Sequence, residues 1–177
     1  MRIKSILKRV IGVRNQNAEY LRKKGAHIGE KFSNFGIVDE GHAYLFSAGN
    51  NVTLAAGCRI LLHDASTQFQ LGYSRVGRVD IGDEVFVGAD SIVLPNIRIG
   101  SRCIIGAGSV VTHDVLDNTV VAGNPAKTIC TYDEYIDKCK KMFSNAPVFD
   151  KYWTDKTMAE KEEERKKLSN GICGFDK

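Results

Sequence analysis

IGDEVFVGADSIVLPNIRIGSRCIIGAGSVVTHDV, residues 81–115, decides the fold. Branched apolar residues recur at every sixth position, as Ile81, Val87, Val93, Ile99, Ile105 and Val111. A second set follows four places behind each: Val85, Ser91, Ile97, Cys103, Ser109 and Val115. Glycine comes directly after four of the leading residues, as Gly82, Gly88, Gly100 and Gly106. An unbroken run of hexads is an internal repeat, and its period selects the architecture. A helix requires spacings of three and four, and an isolated amphipathic strand a spacing of two. A period of six fits short strands separated by turns, with each hexad forming one flat side of a parallel β-helix. The leading Ile or Val points into the prism, and glycine is expected to supply backbone freedom at the corner. Each buried aliphatic rung contributes roughly 1.5–3 kcal/mol, so stacking stabilises what a single coil cannot.

Outward from this stretch the phase continues with interruptions. Upstream, Ala48, Leu54 and Ile60 hold leading positions with Val52 and Cys58 behind them, and Ile28-Gly29 opens a first hexad with Phe32 at its fifth position. Residues 34–47 do not phase. Residues 67–80, TQFQLGYSRVGRVD, break the frame, because 81 minus 60 is 21 and not a multiple of six. An insertion there is a loop leaving the prism, and such loops commonly carry function. Downstream, LDNTVVAGNPAK reads as a turn and a last partial coil, with Pro125 preventing an earlier helix. The N-terminal residues 1–25 read as helix, with Ile3, Ile6, Leu7, Val10 and Ile11 on one stripe and basic residues around it. Such a segment suits a cover over one end of the prism, where strand edges are otherwise open. Contact with an anionic membrane is the less favoured use. From Thr131 the composition changes to TYDEYIDKCKKMF, a helix with Tyr132, Tyr135, Ile136, Cys139 and Phe143 on one side. A connector with Pro147 and Trp153 leads to a highly charged, solvated helix ending near Gly171. The resulting division is 1–25 helical, 26–129 β-helix and 130–177 helical extension.

With 177 residues the chain suffices for one domain with appendages. A formal charge of +4 is too mild to argue for a nucleic-acid partner. Five cysteines, Cys58, Cys103, Cys130, Cys139 and Cys173, form no C-x-x-C pair and no disulfide framework, which suits a reducing cytoplasm. Cys58 and Cys103 sit at inward hexad positions as small apolar fillers. No apolar run reaches membrane-span length, and no cleavable signal pattern is present.

The hexads, the closing VVAGNPAK (residues 120–127) and His63 in RILLHDAST resemble the hexapeptide-repeat acyltransferases. Within them the likeness is to sugar and xenobiotic O-acetyltransferases of the galactoside, maltose and capsular polysaccharide type, over residues 26–129. The resemblance implies a left-handed parallel β-helix with helical ends, a homotrimer with active sites at subunit boundaries, acetyl-CoA as cosubstrate, no metal, and a small-molecule or glycan acceptor. It also implies a bacterial cytoplasmic enzyme.

His63 is the candidate general base, since a free imidazole titrates near neutrality and this one stands beside the excursion loop. By the resemblance, acyl transfer is direct, with His63 taking the acceptor proton and Phe86, 23 residues on, lining the acceptor pocket where relatives often have tryptophan. Asp64 or Ser66 is expected to orient the imidazole or bind the acceptor, and Asn34 aligns with an acceptor-binding polar residue. Gly88, Ala89, Gly106, Ala107 and Thr112 match the small residues along which pantetheine lies. Pro125 and Lys127 match the segment at the adenine and 3′-phosphate end, where a lysine is a compact charge suited to phosphate. His113 falls where relatives often carry lysine. Three other readings compete. An N-acetyltransferase acting on an amino sugar needs the same base. A γ-class carbonic anhydrase needs about three histidine ligands, and after His63 the chain offers His113 only, with Asp90 and Asp114 completing no familiar set. A non-catalytic β-helix scaffold has no use for His63 or AGNPAK.

Overall fold

Three parallel sheets, visited in strict rotation, account for the hexads. A computed structural model describes residues 16–177, so the predicted apolar stripe from Ile3 to Ile11 lies outside the described residues. The chain divides at Tyr132 and Asp133 into two compact units. In the first, one sheet holds His27–Ile28, Phe46–Ala48, Val79–Ile81 and Ile97–Ile99. The second holds Ser33–Asn34, Thr53–Leu54, Val85–Val87, Cys103–Ile105 and Thr119–Ala122. The third holds Ile37–Val38, Arg59–Ile60, Ile92–Val93 and Val110–Val111.

The register makes the repeat physical. Ala48, Ile81 and Ile99 pair along the first sheet, Leu54, Val87 and Ile105 along the second, and Ile60, Val93 and Val111 along the third. Each leading hexad residue is thus one rung of one wall, and all nine are buried. The fifth positions fill the remaining interior, and two of them are polar. Ser91 and Ser109 are fully buried, and both hydroxyls donate to the Gly106 carbonyl, at 2.8 and 2.6 Å. Their burial is therefore satisfied rather than costly.

Corner glycines have a different reason from the one expected. Gly82, Gly88, Gly100 and Gly106 are absent from the left-handed region, which is occupied instead by Glu84, Asp90, Asn96, Arg102 and Asn118. The constraint is the next coil: a Cβ on Gly88 would lie 2.5 Å from the Ala107 nitrogen and 2.7 Å from the Ile105 carbonyl oxygen. Stacked coils approach closely at these corners, and only glycine leaves the room.

The unphased stretch also has a simple cause. Asn34 keeps the six-residue step from Ile28, but the next rung is Val38, two residues early. A 3-10 turn, Glu40–Leu45, then carries the chain to Phe46. Below this first coil the end is closed. The helix Ala18–Lys23 buries Leu21 in the core. Ahead of it, Gln16 behaves as a substitute strand: its Nε2 donates to the Val38 carbonyl at 3.0 Å, and its Oε1 accepts from the Val38 N–H at 2.7 Å. At the other end Lys127–Thr131 folds back antiparallel on Thr119–Ala122, a reversal that the hexads did not announce.

The second unit begins within the helix Tyr132–Phe143, as expected from its apolar side. Val148–Phe149 pairs in parallel with Phe175–Asp176. Between them runs the charged helix Met158–Lys167, started by a reciprocal Thr157–Glu160 capping box. Lys156 joins the pieces, donating to Glu164 and Asp176 at 2.6 Å each. No helix among the described residues is long and apolar enough to cross a membrane.

Candidate active site

The frame break read at residues 67–80 is an antiparallel excursion that begins at His63. His63–Asp64 leaves the corner after the third sheet and pairs with Arg75–Val76. Asp64 accepts a hydrogen bond from the Ser66 N–H at 2.9 Å and so starts the turn Ala65–Thr67. That hydrogen bond, the Ser66 side chain and nearby Arg75 hold its carboxyl below the ordinary range. A helical turn, Gln68–Leu71, closes on Gly72 in the left-handed region. Its apolar residues face outward: Phe69 is 99% exposed and Tyr73 78%.

The carboxylate on the His63 imidazole belongs to Asp39 and not to Asp64, as the sequence had suggested. Asp39 follows Val38, and its N–H donates to the Ile60 carbonyl at 3.0 Å, which sets it on the same corner one coil below His63. Its Oδ1 accepts from the Gly41 N–H at 3.2 Å, and its Oδ2 meets His63 Nδ1 in a very short contact. His42, in the 3-10 turn, brings its own Nδ1 to 3.4 Å from that same Oδ2. The two imidazoles lie 4.9 Å apart between centroids, tilted by 35°. Burial pushes the Asp39 carboxyl up, but His63, His42 and the Gly41 N–H outweigh it and hold the acid below its usual value. With Asp39 ionised, the His63 Nδ1 keeps its proton and Nε2 is left as the basic nitrogen.

The remaining predicted residues fall into separate places. Gly88-Ala89 stacks on Gly106-Ala107 at the corner between the second and third sheets, through Gly88 N–H to Ile105 and Gly108 N–H to Ala89, each 2.8 Å. Ala55-Ala56 and Ala122-Gly123 extend the same track on the coils either side, a continuation visible only from the register. Phe86 opens onto the outer side of the second sheet, beside this track, and is 45% exposed. Thr112 and His113 follow the third sheet, with Thr112 Oγ1 and His113 Nδ1 2.8 Å apart. His113 and Lys127 line one cleft of about 370 Å³ with Val111, Thr119 and Ala126. Pro125 lies exposed in the turn before it, after a cis peptide bond. Asn34 lies on the second sheet beside Leu54, one coil below the Ala55-Ala56 part of this track; its Nδ2 donates to the Gln16 carbonyl and its Oδ1 accepts from the Gly36 N–H.

The bacterial transferase hexapeptide family, a pattern of six repeats, matches residues 78–113. Protein CapG of Staphylococcus aureus is 38% identical over 133 residues, covering 71% of this chain and 77% of CapG. The chain belongs to the hexapeptide-repeat transferases. Galactoside O-acetyltransferase of Escherichia coli is 34% identical over 109 residues, 58% of this chain and 52% of the enzyme, so the chain spans about half of that relative. A galactoside acetyltransferase solved in complex with coenzyme A superposes with a TM-score of 0.56 at 28% identity, over 64% of this chain and 58% of that one.

In this hexapeptide-repeat transferase the residues that sequence reasoning missed are Asp39 and His42. Both lie in the unphased segment, 24 and 21 residues ahead of His63. The signal was the segment itself, since a coil with one short corner and a 3-10 turn still returns to the same corner after one circuit.

Proposed function

We propose that this chain is an acetyl-CoA-dependent O-acetyltransferase acting on a sugar hydroxyl, with a cell-surface polysaccharide or lipopolysaccharide precursor as acceptor. The observation that carries the reading is the His63–Asp39 pair: a 43% exposed imidazole, beside the excursion hairpin, with its Nδ1 committed to a mostly buried carboxylate. The galactoside O-acetyltransferase supports the acetyl-transfer class by its name.

The track of Gly88, Ala89, Gly106 and Ala107 fits a slender pantetheine, because these four residues carry nothing longer than a methyl. Thr112, His113, Pro125 and Lys127 are assigned the adenine and phosphate end, where Lys127 and His113 share their cleft. Acetyl-CoA, the cosubstrate, supplies an activated acetyl thioester. His63 Nε2 takes the proton of the acceptor hydroxyl, leaving an oxygen able to attack, and returns that proton to the departing sulfur. Asp39 stabilises the imidazolium in between. Holding the two substrates together supplies further acceleration.

His63 stands on one corner of the coil, while Phe86 and the small-residue track stand on another, with the third sheet between them. A homotrimer of left-handed β-helices, as the family resemblance implies, would set one chain's imidazole against another chain's track. Phe86 and Asp64 then flank the acceptor, and residues 26–129 form the catalytic domain. Five free cysteines fit a bacterial cytoplasm.

Titration calorimetry of CoA and acetyl-CoA on the wild type and His63→Ala, followed by a thiol-release screen over sugars and amino sugars, tests the reading. Equal cofactor binding by both proteins, with turnover lost in the mutant, is the expected result. Failure of the wild type to bind either cofactor removes the proposal. A preference for amino sugars turns it toward N-acetylation.

A further inference from the structure

We propose that Asp39, His42 and His63 form a binding site for a divalent first-row transition cation, Zn2+ foremost, and that the ion silences His63 as a base. One ligand atom from each residue lies within 4.8 Å of the other two. Tetrahedral zinc, with bonds of about 2.0–2.1 Å, sets its ligand atoms about 3.3 Å apart. His42 Nδ1 already stands 3.4 Å from Asp39 Oδ2. The His63–Asp39 contact has only to open until the ion sits between the two atoms.

A second observation points the same way. His42 Nδ1 is buried and makes no hydrogen bond among the described residues, although it faces the carboxylate. A buried imidazole nitrogen without a hydrogen bond is costly, and a metal ion would satisfy it. Two imidazoles and one carboxylate are a donor set suited to zinc and its neighbours. The opening is also suitable. Side-chain exposures of 43% for His63, 29% for His42 and 12% for Asp39 leave an entry path and a fourth position for water.

The consequence for the base follows from proton bookkeeping. In the ion-free protein Nδ1 of His63 carries the proton and Nε2 the lone pair. When the cation takes the Nδ1 lone pair, the Nδ1 proton leaves to solvent and Nε2 acquires one. The ring stays neutral, but its free nitrogen is now a donor and cannot accept the acceptor hydroxyl's proton. This consequence rests on the acetyl-transfer reading. The binding site itself does not.

The test uses the full chain, freed of metal by a chelator, and Co2+ as the probe. The expected result is one Co2+ per chain with visible d–d absorption and no thiolate charge-transfer band, displaced by Zn2+. His42→Ala and the bulkier His42→Gln, each checked for native circular dichroism, should weaken binding about tenfold or more. Ring-nitrogen NMR should show Zn2+ moving the His63 proton from Nδ1 to Nε2. A thiolate band from Cys130, Cys139 or Cys173 overturns the site, as does equal binding by wild type and both His42 variants. Because no acceptor or CoA enters these measurements, a metal site without acetyl transfer, or the reverse, separates the two proposals.

Discussion

Asp39→Asn is the perturbation whose outcome is fixed most closely by geometry. Asp39 presents Oδ1 to the Gly41 N–H and Oδ2 to His63 Nδ1. An asparagine has one oxygen for these two demands. The Gly41 N–H can only donate, so the amide oxygen turns to it and the amide NH2 turns to His63. Nδ1 must then accept, its proton moves to Nε2, and the base is lost. A hydrogen bond to an ionised partner is worth about 1.5–3 kcal/mol, which biases the tautomer by about ten- to a hundredfold. Asp39→Ala removes that bias and lets the imidazole sample both tautomers. Asp39→Asn reverses it, so its kcat should fall further than that of Asp39→Ala. Ring-nitrogen NMR of His63 reads the tautomer without any acceptor, and acetyl-CoA consumption with the best sugar from the screen reads the rate. If Asp39→Asn keeps the proton on Nδ1, or turns over faster than Asp39→Ala, the assigned role of Asp39 is wrong.

Four further outcomes follow from packing and charge. Ile105→Ala, emptying a rung between Val87 and Val121, should cost about 2–5 kcal/mol in urea unfolding, and Ile105→Val about 0.5–1.5. Gly88→Ala should abolish native folding although its φ is ordinary, whereas Gly108→Ala, at φ 66° with open space around it, should cost only about 1–2 kcal/mol; circular dichroism and thermal melts compare the pair. The depressed carboxyl of Asp39 stabilises the fold fully above its unfolded pKa, near 3.8, and that contribution disappears as the pH falls through the lower folded value. In His63→Gln the imidazole no longer opposes burial, so the Asp39 carboxyl should titrate higher, as read by carbon NMR of its side chain.

The walls of the prism were legible because each rung makes the same demand. Val87, Val93 and Ile99 each close one side, and any polar residue there needs a special partner, as Ser91 and Ser109 have in the Gly106 carbonyl. His63 was legible because it borders the frame break and because the family resemblance places a histidine there. Asp39 and His42 were hidden because their coil has one short corner and a 3-10 turn, so a fixed period gives no register for them. The glycines were found with the wrong cause, since periodicity reveals a corner but not which force acts there. For Gly88 the force is contact with Ala107 on the next coil. Asn34 held its six-residue step, yet its amide is engaged by Gln16 and Gly36, a use that depends on a residue 18 positions earlier.

The Gln16 amide, making both ladder bonds that a further strand would make to Val38, bears on how long such a coil is allowed to be. A stack of identical parallel rungs has no inherent terminus, and its end is a template for the next chain that arrives extended. Among the described residues Gln16 occupies that template at the lower end of the third sheet, Arg22 donates to the Ile28 and Gly29 carbonyls at the first, and the reversed strand Lys127–Thr131 covers the upper edge of the second. The described coil therefore carries stop signals at either end, and Gln16 is the slightest of them. Lose its amide, and the Val38 N–H and carbonyl lose the partner they have among the described residues, so that a fault at this one residue leaves two backbone groups open to another extended segment.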